Sequence, residues 1–122
     1  IGFDKNIERV NKARAKSCPV YYGDTTKQAT LEAASLSTAL AVVITLDEAL
    51  ATKNLVKLIR KFDAEIPIIA RAHDQEIMKE FNALENLESV AENVILGDIL
   101  SAKTLEYCRP YRKTNTVEPA KN

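Results

Sequence analysis

The sequence predicts an α/β architecture, a parallel sheet with helices packed on its faces, and three observations carry that prediction. Short runs rich in β-branched residues alternate with longer amphipathic runs, which is how successive βαβ units read along a chain. One run, ALAVVIT at residues 39–45, is almost continuously apolar, as suits a strand buried on both faces near the centre of a parallel sheet. The strand-like runs also end repeatedly on Asp, Gly or Thr, residue types that turn a chain and open a helix.

The elements follow in order. IGF opens the chain and is too short to assign by itself. Asp4-Lys5-Asn6 comes next, and IERVNKARAK then spaces Ile7, Val10 and Ala13 as a narrow apolar helical stripe, with Asn6 placed to cap it. PVYY is a strand whose Pro19 stands at its first position, where a missing N–H is tolerated. GDTT leads into a helix over KQATLEAASL. After the strand at 39–45, DEALATKNLVKLIRKF reads as the longest helix, with Asp47 and Glu48 at its positive end and Arg60 and Lys61 at its negative end. Leu50, Leu55, Leu58, Ile59 and Phe62 mark its buried face. EIPIIARA is a strand and HDQEIMKEFNAL a helix capped by Asp74. EALENLESVAEN is a polar connection, ENVIL a short last strand and GDILSAKTLEYC the closing helix. YRKTNTVEPAKN lacks apolar periodicity, so the domain is expected over 1–109 and a flexible tail over 110–122.

Composition narrows the function classes. The 122 residues suffice for one domain, and 17 basic residues balance 17 acidic ones, so the surface offers no electrostatic footprint for nucleic acid. Cys18 and Cys108 lie in no metal-type spacing and are expected to be free thiols in a reducing compartment. No apolar run approaches the roughly 18 to 20 residues that span a bilayer, and the chain is expected to be soluble. His73 is the only histidine, which rules out a His-based metal cluster; it reads as a solvated or capping residue. Glu48, Glu76 and Glu80 read as helix-surface carboxylates, and no acid pair is spaced for proton transfer. No catalytic and no metal-ligating residue is expected.

The strand ends carry the functional signal. In open parallel sheets, ligands collect outside the carboxyl ends of the strands, where backbone donors are free. Asp4, Gly23-Asp24-Thr25, Thr45-Leu46-Asp47 and Arg71 all fall at such ends and are expected to line one crevice. A strand-end carboxylate suits a ribose diol, and Asp24-Thr25 would offer a carboxylate, a hydroxyl and backbone groups to the edge of an adenine. The plainer alternative is that Asp24, Thr25 or Thr26 caps the next helix while Gly23 supplies freedom to turn.

The ordered run Asp4-Lys5-Asn6, VYYGDTT, LEAASL, AVVITLDE and IPIIARAHD resembles the nucleotide-binding domain called RCK, KTN or TrkA-N. IIARAHD followed by ENVILGDILSAKTLE is similar, more closely, to the cytoplasmic carboxyl-terminal domain of Kef-type monovalent cation:proton antiporters. That resemblance covers roughly residues 1–107 and implies a Rossmann-like, doubly wound parallel sheet. It also implies an adenine nucleotide as ligand (AMP, ATP or NAD(H)), a homodimer, and regulation of a membrane-embedded antiporter or potassium transport protein at the cytoplasmic face of the bacterial inner membrane. Position by position, Asp4 matches the ribose-binding acid with Lys5 beside it, Asp24 and Thr25 match the adenine-reading pair, and Thr45 matches a position close to the ligand. Arg71 matches a basic position near the regulatory glutathione pocket of Kef-type domains.

The chain departs from the family pattern in one place. The family opens with a strand and the phosphate-holding turn GxGxxG, whereas Gly2, Gly23 and Gly97 are the three glycines here and form no such motif. The first βα unit is therefore expected to be absent, leaving a gap in mid-sheet that points to a piece of a longer protein or to a partner chain filling the gap. The expected function is a non-catalytic regulatory domain. The alternatives are an NAD(P)-binding domain of an oxidoreductase and a degenerate, ligand-free dimerisation module.

Overall fold

A computed structural model describes residues 1–112, with side chains described as far as residue 106. Strands Gly2–Asp4 (β1), Val20–Tyr22 (β2), Val42–Ile44 (β3), Ile68–Ala72 (β4) and Leu87–Ala91 (β5) alternate with helices. The helices are Ile7–Arg14 (α1), Gln28–Ala33 (α2), Ala49–Phe62 (α3), Gln75–Asn82 (α4) and Glu92–Arg112 (α5). All strand pairings among the described residues are parallel, with Asp4 opposite Tyr22, Ile44 opposite Ala70 and Arg71 opposite Val90.

The sheet comes in two parts, β1-β2 and β3-β4-β5. Removing the first strand from a doubly wound sheet of order 3-2-1-4-5-6 leaves two strands on one side and three on the other, which is the division seen. A cavity of about 230 Å³ lies between the parts, with Gly2 and Phe3 on one wall, Val42 to Thr45 on the other, and the side of the core with Leu31, Leu55 and Ile59 at its floor. The burial expected for residues 39–45 is only partly met. Only Ile44 of β3 is buried, while Val43 is 65 % exposed, because it points to the sheet face opposite the core, where Ile69 of β4 and Val90 of β5 are exposed beside it.

The core sits between β3-β4-β5 and the helices α3 and α4. Thr52, Leu55, Val56 and Ile59 form the buried stripe of α3 at the i, i+3, i+4, i+7 spacing of a helix face. The stripe includes Leu55 and Ile59 as expected but not Leu50 or Phe62, which stay exposed because the helical period puts Leu50 on the far side of α3 and Phe62 at the margin of the stripe. Ile68, Ala70 and Ala72 of β4 meet this stripe together with Ile44, Ile66, Phe81 and Leu87. Arg60 ties the end of α3 to the loops beneath the sheet, donating to the carbonyls of Ile66, Glu85 and Asn86 at 2.6, 3.1 and 2.9 Å. The β1-β2 part is thinner, with Val10 of α1 and Leu31 of α2 as its buried apolar side chains.

Both anticipated caps form. Asn6 Oδ1 accepts from the backbone N–H of Glu8 and Arg9 at 3.0 and 3.1 Å, and Asp74 Oδ1 accepts from that of Ile77 at 2.9 Å. The helix expected over KQATLEAASL is broken instead, since Ser35 adopts φ 52° and the chain continues as a single 3₁₀ turn at Leu36–Thr38.

The largest correction concerns the end of the domain. The last strand is LESVA, inside the stretch read as a polar connection, and ENVIL is the first part of α5 rather than a strand. Leu87, Ser89 and Ala91 point inward with period two, and the polar Ser89 is tolerated there because it is satisfied. Its hydroxyl lies 2.7 Å from Asn82 Oδ1 and 3.1 Å from the Met78 carbonyl, and its N–H donates to the same Asn82 oxygen at 3.0 Å. The helix continues to Arg112, and the remainder of the expected tail, residues 113–122, lies outside the described residues. Cys18 is an exposed free thiol, while the side chain of Cys108 lies outside the described ones. Among the described residues no helix is long and apolar enough to cross a membrane.

Candidate functional site

The carboxyl ends of β1, β2 and β3 open onto one cavity of about 320 Å³, at the small end of the roughly 300–1,000 Å³ usual for ligand sites. Asp4 and Lys5 come from the end of β1, Gly23 to Thr26 from the loop after β2, and Thr45 to Glu48 from the loop after β3. The parallel register puts them together: Asp4 stands opposite Tyr22, so Gly23 follows immediately beside it, and the Gly23 N–H donates to the Asp4 carbonyl at 3.1 Å. Five of the six residues singled out in the sequence, Asp4, Lys5, Asp24, Thr25 and Thr45, line this cavity. The sixth, Arg71, stands on β4 outside it and reaches its wall through an ion pair with Asp47.

Each carboxylate has a defined setting. Asp4 Oδ1 accepts from the Asn6 N–H at 2.7 Å, and Oδ2 lies 3.5 Å from Arg9 Nε. These contacts orient the group and leave each oxygen a lone pair for a ligand hydroxyl. Asp24 Oδ1 accepts from the N–H and the hydroxyl of Thr26 at 3.0 and 2.7 Å, and the Asp24 carbonyl accepts from Lys27 N–H at 3.0 Å. The two hydrogen bonds from Thr26, hydroxyl first, hold the Asp24 carboxyl below its usual pKa, with smaller help from Lys27 and Lys5. Asp24 thus builds a side-chain turn of its own. It does not cap α2, whose N-cap position is Lys27 with no side-chain cap bond, and neither Thr25 nor Thr26 takes that role.

Gly23 has a different reason to be glycine from the one the sequence suggested. Its φ is not positive, so no left-handed turn requires it. A Cβ there would stand 2.9 Å from Thr30 Cγ2 and 3.1 Å from Phe3 Cδ1, so the close approach of α2 and β1 demands the missing side chain.

Sequence reasoning missed Arg9 and Glu48 as cavity residues. Arg9 had a signal: it lies in the first turn of the helix that Asn6 caps, and a helix starting there brings its first turn back over the preceding strand end. Glu48 reads in the sequence as a helix-surface carboxylate, but α3 begins one residue later and leaves Asp47 and Glu48 in the wall.

The lining fits a nucleoside better than a polyphosphate. Lys5 and Arg9 face four carboxylates, Asp4, Asp24, Asp47 and Glu48, so the cavity is acidic on balance. None of the glycines has a positive φ, and the described residues offer no glycine-rich cradle of N–H groups for phosphates. Carboxylates and hydroxyls suit ribose hydroxyls and amino groups instead.

Comparison with known proteins identifies the family of the fold. The sequence profile of the TrkA-N domain matches residues 1–95. The chain is 29 % identical over 118 residues to a putative K+ efflux antiporter KefB of Alkalimonas amylolytica, covering 96 % of this chain and 18 % of that protein. It is 30 % identical over 105 residues to K+ efflux antiporter 3, chloroplastic, of Arabidopsis thaliana, covering 86 % of this chain and 14 % of that protein. The chain therefore spans less than a fifth of the length of these curated relatives. The crystal structure of the TrkA-N domain of inner membrane protein ybaL from Escherichia coli superposes with a TM-score of 0.70 at 18 % identity, over 82 % of this chain and 74 % of that one. With the divided parallel sheet, the strand-end cavity and a profile match over most of its length, this chain belongs to the TrkA-N domain family.

Proposed function

We propose that this domain binds the adenosine part of an adenine nucleotide, AMP, ATP or NAD(H), and thereby regulates a K+ efflux antiporter or a related potassium transport protein in the membrane. The observation that supports it best is the convergence of three strand-end loops on one cavity, with the oriented carboxylate of Asp4 at its edge. In this reading Asp4 accepts from the ribose hydroxyls, Asp24 and Thr25 meet the base, Thr45 closes the wall and Lys5 sits near the phosphates. The ligand supplies no chemistry. Its binding energy, where it differs between two arrangements of the domain, shifts the population between them.

Pairing of two copies belongs to the same proposal. Ile95, Leu96, Ile99, Leu100 and Leu105 of α5 are all exposed, more apolar side chains than one helix usually shows to water, and they give a second copy something to bury.

The test is calorimetric titration of the full-length protein with AMP, ATP, NAD and NADH. Asp4→Ala is expected to weaken binding about ten-fold, or about 1.4 kcal/mol, and Asp24→Ala by a smaller factor. Asp98→Ala, on α5, is expected to leave it unchanged. Equal losses for all three would place the site elsewhere, hydride transfer to a test substrate would favour an oxidoreductase, and no binding at all would favour a ligand-free pairing module.

A further inference from the structure

We propose that Arg71 is a positioning residue that ties the wall of the nucleotide cavity to the start of α5, so that a ligand in the cavity is felt at that helix. The proposal rests on the nucleotide reading for its ligand, but the tie itself consists of two ion pairs within the domain.

The guanidinium uses two different nitrogens on two different elements. Nη2 pairs with Asp47 in the loop after β3, and Nε lies 3.6 Å from Glu92, the first residue of α5. Asp47 lines the cavity; Glu92 does not. Arg71 is on the face of β4 opposite the core, where Val43, Ile69, Val90, Ile95 and Leu96 make an apolar groove. Removing the guanidinium would leave two carboxylates beside that groove with no cation between them, which favours their moving apart. A planar fork can serve both at once, and a single ammonium cannot.

The other ion pairs among the described residues make no such connection. Arg9 and Asp4 stay within the cavity, Lys53 and Glu80 join α3 to α4, and Lys103 and Glu106 lie within α5. Among the described residues, Arg71 is thus the one charged link between the cavity wall and the helix that carries the exposed apolar residues. All three side chains are partly or largely exposed, so screening limits the coupling to about two- to five-fold. By reciprocity, whatever holds the start of α5 changes affinity in the cavity by the same factor.

The experiment is amide hydrogen exchange on the full-length protein with and without AMP. The amides to watch are those of Leu96 to Ile99, which lie in the part of the first turns of α5 where N–H groups are bonded within the helix. AMP is expected to slow them two- to five-fold in the parent protein, and the response is expected to disappear in Arg71→Gln and in 0.5 M NaCl. Arg71→Lys is expected to restore little of it, whereas Lys103→Gln keeps it whole. An equal AMP response in the parent and in Arg71→Gln overturns the proposal. If AMP does not bind the parent protein, the nucleotide reading fails and the tie is judged without ligand. Arg71→Gln must then speed exchange both at Leu96 to Ile99 and at Thr52, the first hydrogen-bonded amide of α3; a change at only one of them overturns it.

Discussion

The two parts of the sheet are held by different means. Around β3-β4-β5 the order comes from packing: the α3 stripe, β4 and Phe81 form a continuous apolar cluster, and Arg60 staples its underside to three carbonyls. Around β1-β2 the strands are three residues long and the order comes largely from local hydrogen bonds, the Asn6 cap, the Asp24 turn and the Asp4 contacts, with Val10 as the anchor. The cavity lies where the two parts meet. The region supplying most of the cavity's polar groups is therefore the one with least packing beneath it, which is where a ligand has most ordering left to do.

Cutting into each anchor in turn tests whether the two parts are held separately. Ile59 is completely buried in the α3 stripe, and Ile59→Ala is expected to lower the stability of the whole domain by about 3 to 4 kcal/mol. Val10→Ala deletes less and is expected to cost roughly 2 kcal/mol. The sharper readout is where exchange accelerates in the full-length protein: throughout for Ile59→Ala, and over α1, β1 and β2 for Val10→Ala, with AMP binding lost alongside. If Val10→Ala loosens α3 and α4 equally, the two parts form one cooperative unit and the distinction falls.

This contrast also explains what the sequence revealed. Signals that act locally were legible: Asn6 and Asp74 cap their helices because a side-chain acceptor two or three residues before a free N–H is a short-range fact. The strand-end residues were legible because parallel βαβ topology brings those ends to one edge whatever the intervening helices do. What the sequence concealed depended on partners far along the chain. Ser89 makes β5 look polar, and only Asn82 on the packed α4 shows why a hydroxyl belongs inside. ENVIL looks like a strand because Val94, Ile95 and Leu96 are apolar, and no turn residue separates Ala91, the end of β5, from Glu92, the start of α5. The exposure of Val43 came from the open sheet face that it shares with Ile69 and Val90, which its own apolar neighbours in sequence do not announce. Arg71 was picked out by resemblance, while the Asp47 and Glu92 contacts that define its surroundings needed coordinates.

A smaller effect sharpens the contrast at Gly23, where the two sources of order meet. An added Cβ would press on Thr30 Cγ2 at 2.9 Å and on the Phe3 ring at 3.1 Å. Gly23→Ala is expected to cost about 1 to 2 kcal/mol, as α2 and β1 give way, and to weaken AMP binding because Phe3 lines the cavity. Thr30→Ala in the same chain is expected to recover part of the stability. If the double variant is no better than Gly23→Ala alone, the crowding is not what fixes the glycine. A melt in urea, followed by titration of each variant, separates the two effects.

The smallest effect belongs to the Asp24 turn, and its sign follows from proton linkage. Thr26 donates two hydrogen bonds to the ionised carboxylate, so the folded pKa lies below the ordinary 3.8. A depressed folded pKa means that the unfolded chain binds the proton more readily, so this turn adds stability above 3.8 and loses it as pH falls through the folded value. Asp24→Asn keeps the shape of the turn without the charge. Its melting temperature is expected to sit slightly below that of the parent protein at pH 7, with the gap closing as the pH is taken below 3.8. A gap that stays constant across that range would show that the turn holds by geometry alone. Order around β1-β2 would then owe nothing to the charge on Asp24, and its carboxylate would be free to be judged by what it does for a ligand.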